Sequence, residues 1–239
     1  MTCRLDAVCL DALDPATLAG FWTQLLGWTL AADPAGGVVL VPGDDTGFRL
    51  RLTPTDVPKT RQNRAHLDLT SATLAAQERT VAHAIDLGGR HVDVGQTAEE
   101  EHVVLADPEG NEFCVIEPGN SFLAGCGFVG ALACDGSQRA GYFWSAALAW
   151  PLVWDRDEET AIRSPHGGPK ISWGGPPVTP RIGRDRVRFD LAPVETDQAT
   201  EVARLVALGA TRLGSAPDAH GATVLADPDG NEFRLLAAA

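Results

Sequence analysis

An eleven-residue segment occurs twice in this chain, with position 103 corresponding to position 223. Residues 103–113 read VVLADPEGNEF and residues 223–233 read TVLADPDGNEF, so the copies differ only at the first residue and at Glu109 against Asp229. A repeat of this length predicts two copies of one domain. Its central Asp-Pro and Gly-Asn residues are typical of a tight turn, and apolar residues flank them. Each copy is therefore expected to end in a β-hairpin.

Two aromatic segments repeat in the same way. Residues 18–26 and 140–148 each carry a Phe-Trp pair within apolar residues spaced i, i+3, i+4, i+7 and i+8. This spacing predicts an amphipathic helix in each segment, with the aromatic rings turned toward the core. Two further amphipathic helices are predicted at about 73–87 and 195–208, each followed by a glycine suited to a helix end.

Short apolar runs bounded by turn residues predict strands between these helices. In the first half they lie at about 4–10, 37–42, 47–53, 64–70, 90–94, 102–106 and 112–117. In the second half they lie at about 127–133, 151–155, 159–164, 169–173, 186–191, 211–213, 222–226 and 232–237. We predict an α+β fold of four tandem βαβββ modules in two domains, 1–118 and 119–239, with the turn-rich segment 117–121 between them.

Charge and composition exclude several classes of function. The chain has 239 residues, 44% of them hydrophobic, and a formal net charge of −13. A nucleic acid or an anionic membrane requires a basic surface, so neither is an expected partner. No stretch has the order of a signal peptide, no apolar run reaches about 18 residues, and the five cysteines include no C-x-x-C pair. We expect a reduced, soluble, cytoplasmic protein, and its few lysines beside abundant alanine and glycine are typical of a GC-rich bacterial genome.

Three short motifs follow one another in the first half: FW…LGW at 21–28, NRAHLDL at 63–69 and DPEGNEFC at 107–114. In this order they resemble the vicinal oxygen chelate superfamily of glyoxalases, bleomycin-resistance proteins and extradiol dioxygenases, and more narrowly its glyoxalase-like domains. The resemblance covers nearly the whole chain. It implies paired modules whose mixed sheets curl around a cleft, with the helices outside, where members bind or transform small molecules. The resemblance is consistent with a monomer or a homodimer.

Metal-using members of this superfamily supply one ligand, usually His or Glu, from each of four strands at the cleft. The resemblance places these positions at Ala7, near Arg51, His66 and Cys114 in the first half, and at Gly130, near Trp173, Arg188 and Arg234 in the second. Only His66 is a usual ligand, and an arginine has no lone pair to give to a metal. We therefore predict no metal and no other cofactor.

His66 has three roles open to it. It is a general acid or base that titrates near neutral pH, a hydrogen-bonding contact to a ligand, or a structural residue of the cleft. Asp68, two residues on, points to the same strand face and either orients His66 or neutralises Arg51. The resemblance turns Cys114 toward the same cleft, as an activated thiolate or as an inert small hydrophobe.

A second candidate site lies in the other half. Arg188 and Arg234 occupy two of the implied ligand positions, with Trp173 nearby and Trp154 on a preceding strand. Two guanidinium forks beside an indole would bind a planar anion by bidentate hydrogen bonds and stacking. The alternative is that Asp190 and neighbouring acids neutralise both arginines and close the domain.

These observations favour a metal-independent protein that binds a small organic molecule, a drug or a metabolite, in the cleft of one or both domains. The candidate ligand-binding residues are Arg51, His66, Asp68, Cys114, Trp154, Trp173, Arg188 and Arg234. Two alternatives stay open. One is a lyase or isomerase of the superfamily with His66 as its catalytic acid–base. The other is a divalent-metal enzyme in which Glu112 or Asp68 joins His66 and Cys114 in an atypical ligand set.

Overall fold

A computed structural model of the chain describes residues 3–33, 37–97, 100–214, 218 and 221–237. Module one contains β1 (Cys3–Ala12), α1 (Pro15–Leu26), β2 (Thr29–Asp33), β3 (Gly37–Val41) and β4 (Arg49–Pro54). Module two contains β5 (Ala65–Leu69), α2 (Leu74–Asp86), β6 (Arg90–His91), β7 (Val103–Ala106) and β8 (Glu112–Val115). Module three contains β9 (Val129–Cys134), α3 (Gln138–Leu148), β10 (Leu152–Arg156), β11 (Glu159–Arg163) and β12 (Lys170–Trp173). Module four contains β13 (Val187–Pro193), α4 (Gln198–Ala207), β14 (Thr211–Arg212), β15 (Thr223–Ala226) and β16 (Glu232–Leu235).

The modules join in pairs to form two eight-stranded mixed sheets. Sheet I has the order β14-β15-β16-β13-β1-β4-β3-β2 and combines modules four and one; sheet II has the order β10-β11-β12-β9-β5-β8-β7-β6 and combines modules three and two. The seams are antiparallel, β1 with β13 and β5 with β9. The predicted α+β layout of four tandem modules is confirmed. Each sheet takes one module from each half of the chain, so the division at residue 118 stays a prediction about folding units.

The local sequence explains where helix α1 begins and ends. Asp14 is its N-cap, and the Asp14 carboxylate accepts hydrogen bonds from the backbone N–H groups of Ala16 and Thr17. Pro15 follows at the first helical position, where its missing N–H costs nothing. Gly27 ends the helix in the left-handed conformation, with φ of 69°.

Strand β2 is absent from the strands that the sequence predicts. Residues 29–31 and Ala32 are exposed, so the segment carries no alternation of buried and exposed side chains. It lies at the edge of sheet I and pairs only with β3. Backbone pairing therefore forms this strand, and side-chain pattern gives no signal for it.

In both copies the repeated hairpin accepts a hydrogen bond from a tryptophan of a helix. Asp107 is buried and accepts hydrogen bonds from the indole Nε1 of Trp22 at 3.1 Å and from the backbone N–H of Asn111 at 2.9 Å. In the other copy Asp227 accepts from Trp144 Nε1 at 3.0 Å. The aromatic repeat and the hairpin repeat thus belong to one interaction, made twice. Burial raises the pKa of both carboxyl groups, and their hydrogen bonds oppose that rise.

We expect Trp22→Phe to lower the free energy of unfolding by about 1–3 kcal/mol more than Trp28→Phe. Both indoles are buried, so each substitution removes a similar volume. Trp22 also donates to the buried Asp107, whereas Trp28 Nε1 has no hydrogen-bond partner within the described part of the chain. Urea denaturation followed by circular dichroism measures the difference. Equal losses for the two variants would contradict a stabilising role for the Trp22–Asp107 hydrogen bond.

The chain contains no described helix that is long and apolar enough to cross a membrane.

Candidate functional site

Three potential ligand groups converge on one face of sheet II. His66 and Asp68 lie on β5 with Leu67 between them, so both side chains point away from the core that Leu67 enters. Cys114 lies on β8, directly opposite Asp68 in the parallel pairing of the two strands. His66 Nε2 is 3.4 Å from Asp68 Oδ1. The ligand atoms of all three residues lie within 4.8 Å of one another.

The neighbouring strand on the other side contributes only small side chains. In the antiparallel pairing of β5 with β9, Ala133 lies opposite His66 and Ala131 lies opposite Asp68. Gly130, the position implied by the family resemblance, falls in a register shift of this pairing and carries no side chain. All three donor groups therefore come from module two.

The donor groups border an apolar patch. Cys114 packs in a cluster of buried side chains on the same part of sheet II, formed with Val104, Ile116, Leu123 and Ala131. His66 remains accessible, because 29% of its side chain is exposed. A few polar groups beside apolar side chains are the usual composition of a small-molecule site.

Trp154 lies on the same face of sheet II as His66. The pairings Trp154–Ala161, Ala161–Ser172, Ser172–Ala133 and Ala133–His66 form one continuous row across five strands. Directly paired residues share a sheet face, so three small side chains separate the indole from the imidazole. With strands about 4.8 Å apart, the row spans roughly 19 Å along the sheet. The sequence places Trp154 beside Arg188 instead, because strand pairing between modules is not visible in it.

The environment of His66 changes its proton affinity. Burial acts to lower the pKa of His66, but the hydrogen bonds and negative charges of Asp68 and Cys114 outweigh it and raise the pKa to about 10. Burial also raises the pKa of the Cys114 thiol, although His66 opposes this rise. At neutral pH the metal-free site therefore contains an imidazolium beside the Asp68 carboxylate. An imidazolium donates protons, which favours an acid or ligand-contact role over a general base.

The three donors also fit a divalent metal. One nitrogen, one oxygen and one sulfur ligand close together suit zinc, which in catalytic sites takes three protein ligands and keeps one position open. The sequence prediction of no metal counted the four positions implied by the family resemblance. It kept only His66 as a usual ligand, whereas the structure brings Asp68 and Cys114, which the sequence offered as an atypical ligand set with His66, within 4.8 Å of it.

The corresponding face of sheet I carries a closed network of ion pairs. Asp190 accepts hydrogen bonds from Arg234 Nε at 2.7 Å and Nη2 at 2.6 Å, and also pairs with Arg51. Arg188 is buried and binds the carboxylate of Asp11 through Nη1 at 2.9 Å and Nη2 at 2.7 Å. Every arginine that the sequence proposes for ligand binding is thus bound to a carboxylate within the protein. Arg188 and Arg234 are therefore neutralised by acids of the protein, which is the alternative to ligand binding that the sequence left open.

Trp173 is part of the core and does not extend a ligand site. Its ring is buried and stacks on Trp144, with centroids 6.5 Å apart and an interplanar angle of 11°. Trp173 and Arg188 both line an internal cavity of about 20 Å³, which has room for about one water molecule. Trp154 lies on edge strand β10, with Phe122 edge-on at 5.5 Å and the Arg156 guanidinium 3.6 Å above its ring.

Comparison with known proteins adds a family match and several structural neighbours. A family model described as "Glyoxalase-like domain" matches residues 7–116 and 130–236. Glyoxalase I from Zea mays has a TM-score of 0.63 and 14% identity over 99% of this chain and 92% of that one, and a mutant of the same enzyme has a TM-score of 0.62 and 16% identity over the same shares. A glyoxalase/bleomycin resistance protein/dioxygenase family enzyme from Burkholderia phytofirmans has a TM-score of 0.37 and 19% identity over 47% of this chain and 96% of that one. No curated protein sequence matches.

Proposed function

Because the chain belongs to the glyoxalase-like domain family, we propose that it binds a small organic molecule on the face of sheet II that carries His66, Asp68 and Cys114. The observation that supports this most is the convergence of these three polar groups beside a buried apolar cluster. The equivalent face of sheet I supports a structural role, because its arginines and aspartates neutralise one another. Of these two equivalent faces, the face of sheet II is therefore the one proposed to bind a ligand.

The side chains in the row that contains His66, Ala133 and Ser172 support a proposal for the chemistry of the ligand. A protonated His66 would donate a hydrogen bond to a carboxylate or carbonyl oxygen of the ligand. Ala133 and Ser172 are partly exposed and small, so a flat ligand body has room to lie over them. We infer a small organic molecule with an oxygen acceptor at one end.

Binding is tested by isothermal titration calorimetry against a panel of small organic acids, carbonyl compounds and antibiotics. For a ligand found in this way, we expect His66→Gln to weaken binding by about 10- to 100-fold, because a hydrogen bond to a charged group contributes about 1.5–3 kcal/mol. Ala133→Leu should abolish binding by filling the space beside His66. His91→Gln, at an exposed position on β6, is the matched control and should bind as the unmodified protein does.

Two outcomes would reject this site. Binding that is unchanged in both His66→Gln and Ala133→Leu would place the ligand elsewhere. The absence of any binder in the panel, with the protein folded, would remove the basis for a binding function.

A second candidate function is a divalent-metal lyase or isomerase of glyoxalase type. It is favoured by one specific observation, the mutual approach of His66, Asp68 and Cys114 ligand atoms to within 4.8 Å. A metal held by these residues would act as a Lewis acid on a substrate oxygen. Without a metal, the imidazolium of His66 would be the acid of such a reaction.

Metal analysis of the purified protein separates the two candidates. The metal enzyme predicts about one zinc, nickel or iron per chain, lost in Cys114→Ser and in Asp68→Asn because each variant removes one of three ligands. The control is Cys126→Ser, a free cysteine outside the cluster, which should keep the metal. Substoichiometric metal that is unaffected by Cys114→Ser would leave the metal-independent binding function.

A further inference from the structure

A second cavity lies away from the His66 face, where two connecting segments meet. It has a volume of about 430 Å³ and is lined by Asp11, by residues 54–64, which precede β5, and by residues 182–186, which precede β13. The lining includes the carboxylates of Asp11, Asp56 and Asp185. The two segments occupy equivalent places in the repeat, since Ala65 begins β5 and Val187 begins β13. A volume of this size is in the range of small-molecule pockets.

Five cationic side chains line this cavity, and they differ in how they are neutralised. Lys59 pairs with Glu112, Arg184 with Asp11, and Arg186 with Glu109. Within the described part of the chain Arg61 and Arg64 make no comparably close pair, because their shortest distances to a carboxylate oxygen are 4.0 Å and 3.8 Å. These two guanidiniums carry the charge that is available to a ligand.

Arg64 is the stronger anchor of the two because it is buried. Only 7% of its side chain is exposed, its Nη2 donates to the backbone oxygen of Asp229 at 3.3 Å, and its Nε is 3.8 Å from a carboxylate oxygen of Asp135. Its Nε and Nη1 have no hydrogen-bond partner among the residues that the structure describes. Burying two guanidinium nitrogens without hydrogen bonds is unfavourable, so a ligand that supplies acceptors would be stabilised there.

In the equivalent position of the other half of the chain, the guanidinium of an arginine is fully hydrogen-bonded. Arg186, the counterpart of Arg64, donates from Nε to Asn111 Oδ1 at 3.0 Å, from Nη1 to the backbone oxygen of Val57 at 3.0 Å, and from Nη2 to Glu109. Each of its three nitrogens therefore has an acceptor.

The two copies of the repeated segment also differ in one acidic residue close to these arginines. Glu109 is long enough to accept hydrogen bonds from the N-cap region of α1, at Asp14 N and Leu13 N, and also to bind Arg186. Asp229 is one methylene shorter, and its Oδ2 is occupied by the backbone N–H and hydroxyl of Ser137, the N-cap of α3. The shorter side chain thus leaves Arg64 without the carboxylate that Arg186 has.

We infer that this cavity is an anion site, in which Arg64 and Arg61 bind the carboxylate or phosphate group of a small organic molecule. A planar guanidinium presents paired donors to such a group and binds it in bidentate fashion. The site is separate from the His66 face and does not depend on the function proposed for that face.

Thermal unfolding and calorimetry with sodium succinate and with sodium phosphate test this site, with sodium chloride at equal ionic strength as the reference. At ten times Kd, the bound anion should raise the Tm of the unmodified protein by about 3–5 °C over the reference. A response to succinate alone or to phosphate alone identifies the anionic group. Arg64→Gln should abolish the response, and Arg212→Gln, which removes an equal charge from an exposed position on β14, should keep it.

The variant Asp229→Glu gives an independent readout. Its longer carboxylate should reach Arg64 as Glu109 reaches Arg186, so the variant should gain stability in chloride and lose the response to the anion. Persistence of the response in Arg64→Gln or in Asp229→Glu would overturn the inference. It would also be overturned if neither anion raised the Tm of the unmodified protein above the chloride reference, since water would then suffice for Arg64.

Discussion

Replacing Asp190 with alanine is expected to lower the free energy of unfolding by about 3–5 kcal/mol, the cost typical of breaking a buried ion pair by removing one partner. Asp190 is fully buried and accepts hydrogen bonds from Arg51 and Arg234. Asp33 binds Arg51 at Nε and Asp218 approaches Arg234 at Nη1, so neither reaches the nitrogens that Asp190 accepts from. The substitution therefore leaves two guanidiniums in the interior with unpaired donors.

Urea denaturation measures this loss, and Asp155→Ala is the matched control. Asp155 is an exposed aspartate on β10 that accepts hydrogen bonds from Gln138 and Tyr142 at 2.9 Å, and its loss should cost less than about 1 kcal/mol. A triple variant in which Met replaces Arg51 and Arg234 in the Asp190→Ala background should recover part of the stability, because the two guanidiniums that lost the Asp190 carboxylate are then removed. Equal stabilities of Asp190→Ala and Asp155→Ala would contradict the claim that the Asp190 ion-pair network stabilises sheet I.

Sheet I also shows which part of the architecture can be predicted from the sequence. The hairpins and helices depend on local chemistry, so the repeated Asp-Pro turn and the Phe-Trp spacing predict them correctly. The pairing of β1 with β13 and of β5 with β9 depends on contacts between modules far apart in the chain. All four modules have the same pattern of strands, and no local signal distinguishes one partner module from another.

The candidate site follows the same division between local and long-range information. Alternation along one strand suffices to place His66 and Asp68 on one face, and the family resemblance adds Cys114. Trp154 joins that face only through a row of four strand pairings, which the sequence does not contain. Arg64 is different, because the difference between Glu109 and Asp229 is visible in the sequence. The structural consequence of this difference is seen only when the hydrogen bonds of both copies are compared, because Glu109 binds Arg186 whereas Asp229 binds Ser137.

The second large effect concerns the protonation of His66. In protein treated with a chelator, we expect the imidazole of His66 to titrate with a pKa of about 10, well above the ordinary value of 6.5. Asp68→Asn should lower that pKa toward the ordinary value, because the hydrogen bond and charge of Asp68 oppose the effect of burial. Cys114→Ala should lower it by less. Ser172→Ala, two strands away in the same row, should leave it unchanged. Nuclear magnetic resonance of the imidazole signals measures each titration.

The same shift determines how stability depends on pH. The folded state binds the His66 proton more tightly than the unfolded state does, so its contribution is fully present below about pH 6.5. The contribution decreases as the pH rises and is lost as the pH passes through about 10. We expect His66→Gln to remove this part of the pH dependence, so that the two unfolding curves converge at high pH. A His66 pKa near 6.5 in the unmodified protein would contradict the close pairing with Asp68. The imidazolium would then no longer be available at neutral pH to bind an oxygen acceptor of the ligand.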